Sequence, residues 1–292
     1  MKNILGRVIA ASLITGIALA GSQLAASAGE LPAGADRIAV LQNGQLAVKE
    51  GSLFASWVAE LGNVQKTEVA GNLIGALTTD GTLFVKEGSL DAAWTNQASG
   101  VKDFRLSSNR IAVLRTDASL AVKEGLTGSF VEQAQGVTDF EVTNNRVGVV
   151  RADGSALVKQ GDLFAAWVTQ ASGVKDLELT STRVGVVRTD GTAAVRDGLT
   201  GTFVEQADGV KDLELAGDRI AVLRTDGLVA AKDGLFGAWS EQASSASAVE
   251  LAGNRIAVLH TDGTAAVKVG LQGSFVTQAS GVQQIGLAAP SA

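Results

Sequence analysis

The chain of 292 residues has no cysteine, no tyrosine and a single histidine. Without cysteine no disulfide can form, and zinc sites of the thiolate kind are excluded, so core packing must hold the fold. A surplus of positive charge is also missing: 24 Lys and Arg stand against 30 Asp and Glu, for a formal charge of −6. That balance argues against nucleic acid, whose binders concentrate basic charge on the phosphates. The longest apolar run, residues 8–20, is too short for a bilayer, which needs about 20 residues. Lys2 and Arg7 flank its start and Ala26-Ser27-Ala28 follows it. Basic, apolar and A-x-A segments in that order are a secretory signal peptide. The expectation is cleavage after Ala28, leaving residues 29–292 exported, soluble and without a membrane span. Loss of Lys2 and Arg7 moves the charge from −6 to −8.

What fills the rest of the chain is one unit repeated seven times. "RIAVL" or a variant begins at Arg37, Leu73, Arg110, Arg146, Arg183, Arg219 and Arg255, with spacings of 36 or 37. The extra residue comes from the loop before the aromatic, seven residues in "GSLFASW" and six in "GLTGSF". The first unit combines a long loop with a turn one residue shorter, "QNG" for "RTDG", so its total is again 36. A fixed period of this size marks a repeat architecture. The sole histidine, His260, aligns with Arg115, Arg151, Arg188 and Arg224. A catalytic His needs an orienting partner and a group to act on. Sister units do without one, so His260 reads as a polar position beside a turn.

The sixth unit, residues 210–244, predicts four short strands: 212–216, 219–225, 228–233 and 238–243. Gly217-Asp218, Asp226-Gly227 and Gly234 separate them. Asp-Gly between two apolar runs predicts a two-residue type I′ hairpin. Counted from that turn, Ala221 faces Lys232, so a small residue would oppose the basic one in each unit. The first unit, with its shorter turn, would need a bulge to keep step. Helical repeats are disfavoured, because Gly and Asp-Gly interrupt every candidate helix. Four strands repeated seven times predict an all-β fold, a seven-bladed β-propeller. Its ring would be closed by the last strand, within "VQQIGLA" (282–288), which has no "RIAVL" after it. That strand would complete the N-terminal blade, which has none before it.

The order W-x-x-Q-A-S-G-V-K-D-L-E-L followed by R-V-G-V-V-R-T-D-G-T-A-A-V-R-D-G, residues 167–198, resembles the tectonin repeat of tachylectin-like propellers. It departs from that pattern in having no Trp in the "RIAVL" strand and no Tyr in the basic-ended strand. The likeness spans essentially the mature chain. It implies a secreted, bacterial lectin-like propeller with several equivalent sites.

Two repeated positions carry candidate chemistry. The aromatic position holds Trp57, Trp94, Trp167 and Trp239, with Phe in the other three units. Such a ring either stacks on the apolar face of a sugar or fills the core between blades. The basic position includes Lys49, Lys86 and Lys159, each in a unit with a long loop. A ring of such cations would hold anionic glycans; the plainer reading is exposed Lys–Glu neighbours worth little energy. One Asp per turn, without D-x-D spacing, does not provide the clustered oxygens calcium requires. No nucleophile elbow, phosphate loop, zinc motif or distinctively placed pair of carboxylates is found. Near-equal units suit multivalent binding by avidity better than catalysis, which needs distinct environments. The expectation is a secreted, monomeric, non-enzymatic carbohydrate-binding propeller without metal or cofactor. Its partners would be glycans or cell-surface polysaccharide, and the alternative is an extracellular protein-interaction scaffold.

Overall fold

The computed structural model describes residues 35–290. The expected signal peptide, residues 1–28, lies outside them. Twenty-eight strands form seven antiparallel four-stranded sheets arranged as a β-propeller, and no helix occurs among the described residues. In blade 6 the strands run Val210–Ala216, Arg219–Arg224, Val229–Asp233 and Ser240–Ala243, from the inside outward. Blade 1 takes its inner strand, Gln284–Ala288, from the C-terminal end; it pairs with Arg37–Gln42. The expected closure is present, and it removes the open edge that Arg37–Gln42 would otherwise present.

Each second strand is buried along its first five residues, as a strand packed on both faces must be. The inner strands instead alternate, with Val, Leu or Phe turned into the seams. The core is therefore seven seams, each bridging two blades. One joins Leu73, Leu77, Leu83 and Val85 of blade 2 to Phe104, Leu106, Ile111 and Val113 of blade 3. Burying each such aliphatic side chain contributes about 1.5–3 kcal/mol. Volume is balanced across the seams. Gly75, Gly148 and Gly185 face Phe104/Leu106, Leu177/Leu179 and Leu213/Leu215, and a Cβ on them would come within 2.4, 2.6 and 2.7 Å of Phe104, Leu177 and Leu213. Ala112 and Ala221 occupy the same position where the next blade carries Phe140/Val142 or Val249/Leu251, pairs that include the smaller Val.

The hairpins correct the expected register. The pairing is Ala221 with Ala231 and Ile220 with Lys232, one step from expectation. The loop is Thr225-Asp226-Gly227: Gly227 N–H donates to the Arg224 carbonyl (3.0 Å), Arg224 N–H donates to Leu228 O (2.8 Å), and Gly227 has φ +84°. That is the three-residue loop ending in a left-handed Gly, not the two-residue type I′ turn. Asp226 sits at its centre and accepts Leu228 N–H at 3.0 Å, an Asx turn. Only the first unit has the two-residue turn, with Asn43 at φ 49° and Gly44 at φ 74°. It keeps step without a bulge, and Ile38 faces Lys49. The basic residue therefore opposes a branched apolar residue in every blade, not a small one.

Each complete inner strand does carry a bulge. In blade 5 Val174 pairs with Arg188 and Asp176 with Val187, leaving Lys175 as the extra residue. The effect is to re-aim the side chains that follow.

Two kinds of polar link tie neighbouring blades. On the turn face, the hairpin carbonyl of each blade accepts the first N–H of the next inner strand, as in Val101 N–H to Gly81 O at 3.0 Å. On the opposite face, the Arg that heads the second strand reaches across the seam. Arg110 donates to Gly161 O (2.7 Å), Arg183 to Asp218 O (2.8 Å), and Arg37 and Arg255 to Gly88 O and Gly51 O. Blade 2 has Leu73 in that place.

Candidate functional site

The third-to-outer strand loops all emerge on the face that carries the Arg links. In each blade the basic residue lies beneath its loop. Lys49 donates to the Leu53 carbonyl at 2.5 Å and lies 4.8 Å from the centre of the Trp57 ring. Lys86 and Lys159 do the same with Leu90 and Trp94, and with Leu163 and Trp167, at 5.0 Å from each ring. Lys232 donates to Leu235 O at 2.8 Å and sits 4.8 Å from Trp239. These lysines are almost wholly buried. Burial pushes Lys49 down to about 8, with Arg255 adding to the effect, and it lowers Lys123, Lys159, Lys232 and Lys268. Their ammonium groups are held by internal partners, so they are neither a solvent-facing ring of cations nor exposed Lys–Glu pairs. The acid that follows serves the heading Arg: Arg183 pairs with Asp197 and Arg219 with Asp233, both at 2.9 Å.

The aromatic ring closes this arrangement from outside. Trp57, Trp94, Trp167 and Trp239 are half-buried, each packing against a seam core. Three residues before three of these Trp lies a Phe in the solvent: Phe54 at 81%, Phe164 at 80% and Phe236 at 85% exposure. Short turns hold two of them out. Phe54 N–H donates to Ser52 Oγ at 3.1 Å, and Phe164 N–H donates to Asp162 Oδ1 at 2.9 Å. Blade 2 has Asp91 there, and the three blades with Phe at the ring position have Thr127, Thr200 and Gln272. An exposed Phe thus occurs only beside a Trp, in blades 1, 4 and 6. His260 Nδ1 lies 3.1 Å from the Ser244 carbonyl, beside a turn as its alignment implied.

Sequence reasoning missed the centre of the ring. The bulged inner strands turn Glu68, Arg105, Glu141, Glu178, Glu214 and Glu250 into an axial cavity of about 200 Å³. Two residues earlier on these strands lie Lys66, Asp103, Asp139, Asp176 and Asp212. Arg105 Nε donates to Glu141 at 3.3 Å, Lys66 pairs with Asp103, and Asp139 accepts Leu177 N–H at 2.8 Å. Burial raises every one of the five Glu. Glu141 is pushed up to about 8 although Arg105 pulls it down. Glu250 also reaches about 8, helped by the charges of Asp212 and Glu68. Burial, with the charges of Glu141 and Glu214 on either side, also raises Glu178 well above the usual carboxylate range, and Asp176 reaches about 7 through burial and Asp139. The signal was a recurring Asp-x-Glu, at Asp139/Glu141, Asp176/Glu178 and Asp212/Glu214. Among the described residues no three such groups converge closely enough to hold a metal ion.

Comparison with solved structures bears on the fold. The chain is similar to PorZ, a bacterial surface component of the type-IX secretion system of Porphyromonas gingivalis (TM-score 0.63, 12% identity). The match covers 85% of this chain but 37% of PorZ, so the chain spans little more than a third of that protein. It is also similar to Prp20p from Saccharomyces cerevisiae (TM-score 0.61, 8% identity, 86% of each chain). A third likeness is BamB from Moraxella catarrhalis (TM-score 0.52, 19% identity, 83% and 82% of the two chains). The shared property is the propeller. No family model and no curated protein matches the chain.

Proposed function

We propose that this propeller is an exported, non-catalytic carbohydrate-binding protein that engages glycans at several blades and gains strength by avidity. The observation that carries the reading is the recurrence of a solvent-exposed Phe three residues before a half-buried Trp in blades 1, 4 and 6. A Phe that is 80–85% exposed leaves its ring face open to a ligand, and its recurrence at the same loop position in three blades, each time three residues before a Trp, supports a shared contact role. The three exposed Phe stand on separate loops of one face. That spacing suits repeated saccharide units, whose apolar faces stack on aromatic rings, better than one continuous protein footprint. In this reading Trp57, Trp167 and Trp239 line the sites, and Trp94, without its Phe, is the weakest. Lys49, Lys86 and Lys159 support the Trp rings from behind. Several equivalent sites multiply a weak affinity when the ligand is a polymer. Export rests on Lys2, Arg7, the apolar run 8–20 and Ala26-Ser27-Ala28. The tectonin-like repeat pattern agrees with this reading.

The exposed Phe residues also favour a second reading, a protein-interaction scaffold, because aromatic anchors dominate protein interfaces as well. Among propellers of this shape, Prp20p has binding properties toward Gsp1p and histones. The two readings separate on a polysaccharide resin. A lectin is retained and is released by free sugar; a scaffold passes through, or stays bound when sugar is added.

A further inference from the structure

Seven inner strands meet at the axis, and their charges do not cancel. The Glu level holds five carboxyls against Arg105, with Gly286 on the seventh strand. Two residues away, Asp103, Asp139, Asp176 and Asp212 face Lys66, with Ala248 and Gln284 completing the circuit. Nine carboxyls therefore share two cations on these strands, and the five Glu line a cavity of about 200 Å³ together with Arg105 and Lys66. The cations are also placed to one side: Lys66 is committed to Asp103 and to the Phe104 carbonyl (3.0 Å), and Arg105 lies beside Glu141. Glu178, Glu214 and Glu250 have no cation on their own or either adjoining inner strand that reaches them with an ion pair. Lys175 and Lys211, on those strands, donate to the Val210 and Ser247 carbonyls instead. One oxygen each of Glu68 and Asp176 is shut off from solvent without a hydrogen-bond partner. Carboxylates so crowded cannot all ionise, because each negative charge raises the cost of the next.

We propose that the channel is a proton-held lock: Glu141, Glu178, Glu214 and Glu250 retain protons at neutral pH, and their loss loosens the wall formed by the inner strands. The sign follows from linkage. In the unfolded chain these groups ionise near 4.5, whereas burial and mutual repulsion hold Glu141 and Glu250 protonated to about 8. Between those values the folded chain binds more protons than the unfolded one, so stability falls as pH rises and levels off above the window. The buried lysines act the other way. Lys49, depressed to about 8, gives stability that grows as pH rises beyond 8, so it cannot cause a decline that begins at pH 5. The exposed turn carboxyls Asp80, Asp117, Asp153, Asp190 and Asp262 are lowered by hydrogen bonds, and their effect is complete below the window. Loss of the protons would place like charges on adjoining inner strands, one from each blade, with the seams between them as the yielding element.

The test is the melting temperature of the purified chain from pH 5 to pH 9 in EDTA, beside E178Q/E214Q, which makes two carboxyls permanently neutral. The expected result is a fall of about 5–10 °C in the unmodified chain and a shallower fall, with a higher Tm at pH 9, in the variant. A flat or rising curve, or an unchanged slope in the variant, overturns the proposal. Calcium is a control: a rise in Tm on adding it at pH 7 means that a cation, not protons, neutralises the ring, and the proposal fails. Infrared spectroscopy of the unmodified chain at pH 7 gives a readout independent of the variant's folding. A carboxylic-acid band must be present there and must vanish by pH 10; its absence at pH 7 refutes the lock.

Discussion

Replacing Lys232 by Ala removes a residue that sequence alone would class as a surface charge. Lys232 is 5% exposed, lies against Ile220, donates to the Leu235 carbonyl at 2.8 Å and sits 4.8 Å from the Trp239 ring. Truncation deletes three buried methylenes, about 2.4 kcal/mol at roughly 0.8 each. It leaves the Leu235 carbonyl without a donor, about 1–3 kcal/mol, and ends the cation–π contact, about 0.5–2 kcal/mol. Relief of the cost of burying an ammonium offsets part of this, leaving a net loss of about 3–5 kcal/mol. For a domain of this size that is about 6–20 °C in Tm, at roughly 2–4 °C per kcal/mol. Differential scanning calorimetry of K232A, with the exposed Lys102→Ala as control, reads it directly. Lys232→Met, which restores the stem but not the donor, belongs between the two. A K232A curve within about 2 °C of the control would refute the view that the basic position is part of the core.

Three further outcomes follow from the packing. Gly185→Ala puts a Cβ 2.7 Å from Leu213, and overpacking of this kind costs about 1–3 kcal/mol. Leu213→Val in the same chain recovers part of it, a coupling that urea denaturation of the four-member cycle detects. Arg110→Ala loses the bond to the Gly161 carbonyl and the pair with Glu124. Glu124 is 54% exposed and re-solvates, so the expected loss is about 2 kcal/mol by urea melts. Removing residues 280–292 deletes the inner strand of blade 1 and bares the edge of Arg37–Gln42. Size-exclusion chromatography should then show self-association; a monomer with the original Tm contradicts the role given to the closing strand.

The repeat, the four strands per unit, the blade number and the closing strand could be read from the sequence, because spacing and apolar runs report backbone periodicity directly. The hairpin type could not. Asp-Gly fits both a two-residue turn and the end of a three-residue loop, and the choice between them moves Lys232 from Ala221 to Ile220. The lysines read as exposed and are buried because the third strand is covered on both faces as far as the basic residue, whose own loop folds over it. The cross-seam Arg links were invisible for another reason: most of their acceptors are backbone carbonyls of the next blade, such as Gly161 for Arg110 and Thr180 for Arg146. Carbonyls carry no sequence signature. The channel carboxyls were written in the repeat as Asp-x-Glu, but their crowding appears only when seven strands converge. The Phe54/Trp57 pairing lay in plain view; its meaning depended on knowing that Trp57 packs inward while Phe54 does not.

The decisive measurement is a glycan array probed with the chain of residues 29–292 and with its F54S/F164S/F236S variant, each at low and high salt. These three side chains are exposed, so the variant retains the fold and its Tm. The expected result is sugar-selective binding that survives high salt in the parent chain and is lost in the variant. Binding that the variant keeps, or that high salt abolishes in the parent, contradicts the aromatic platforms as the site.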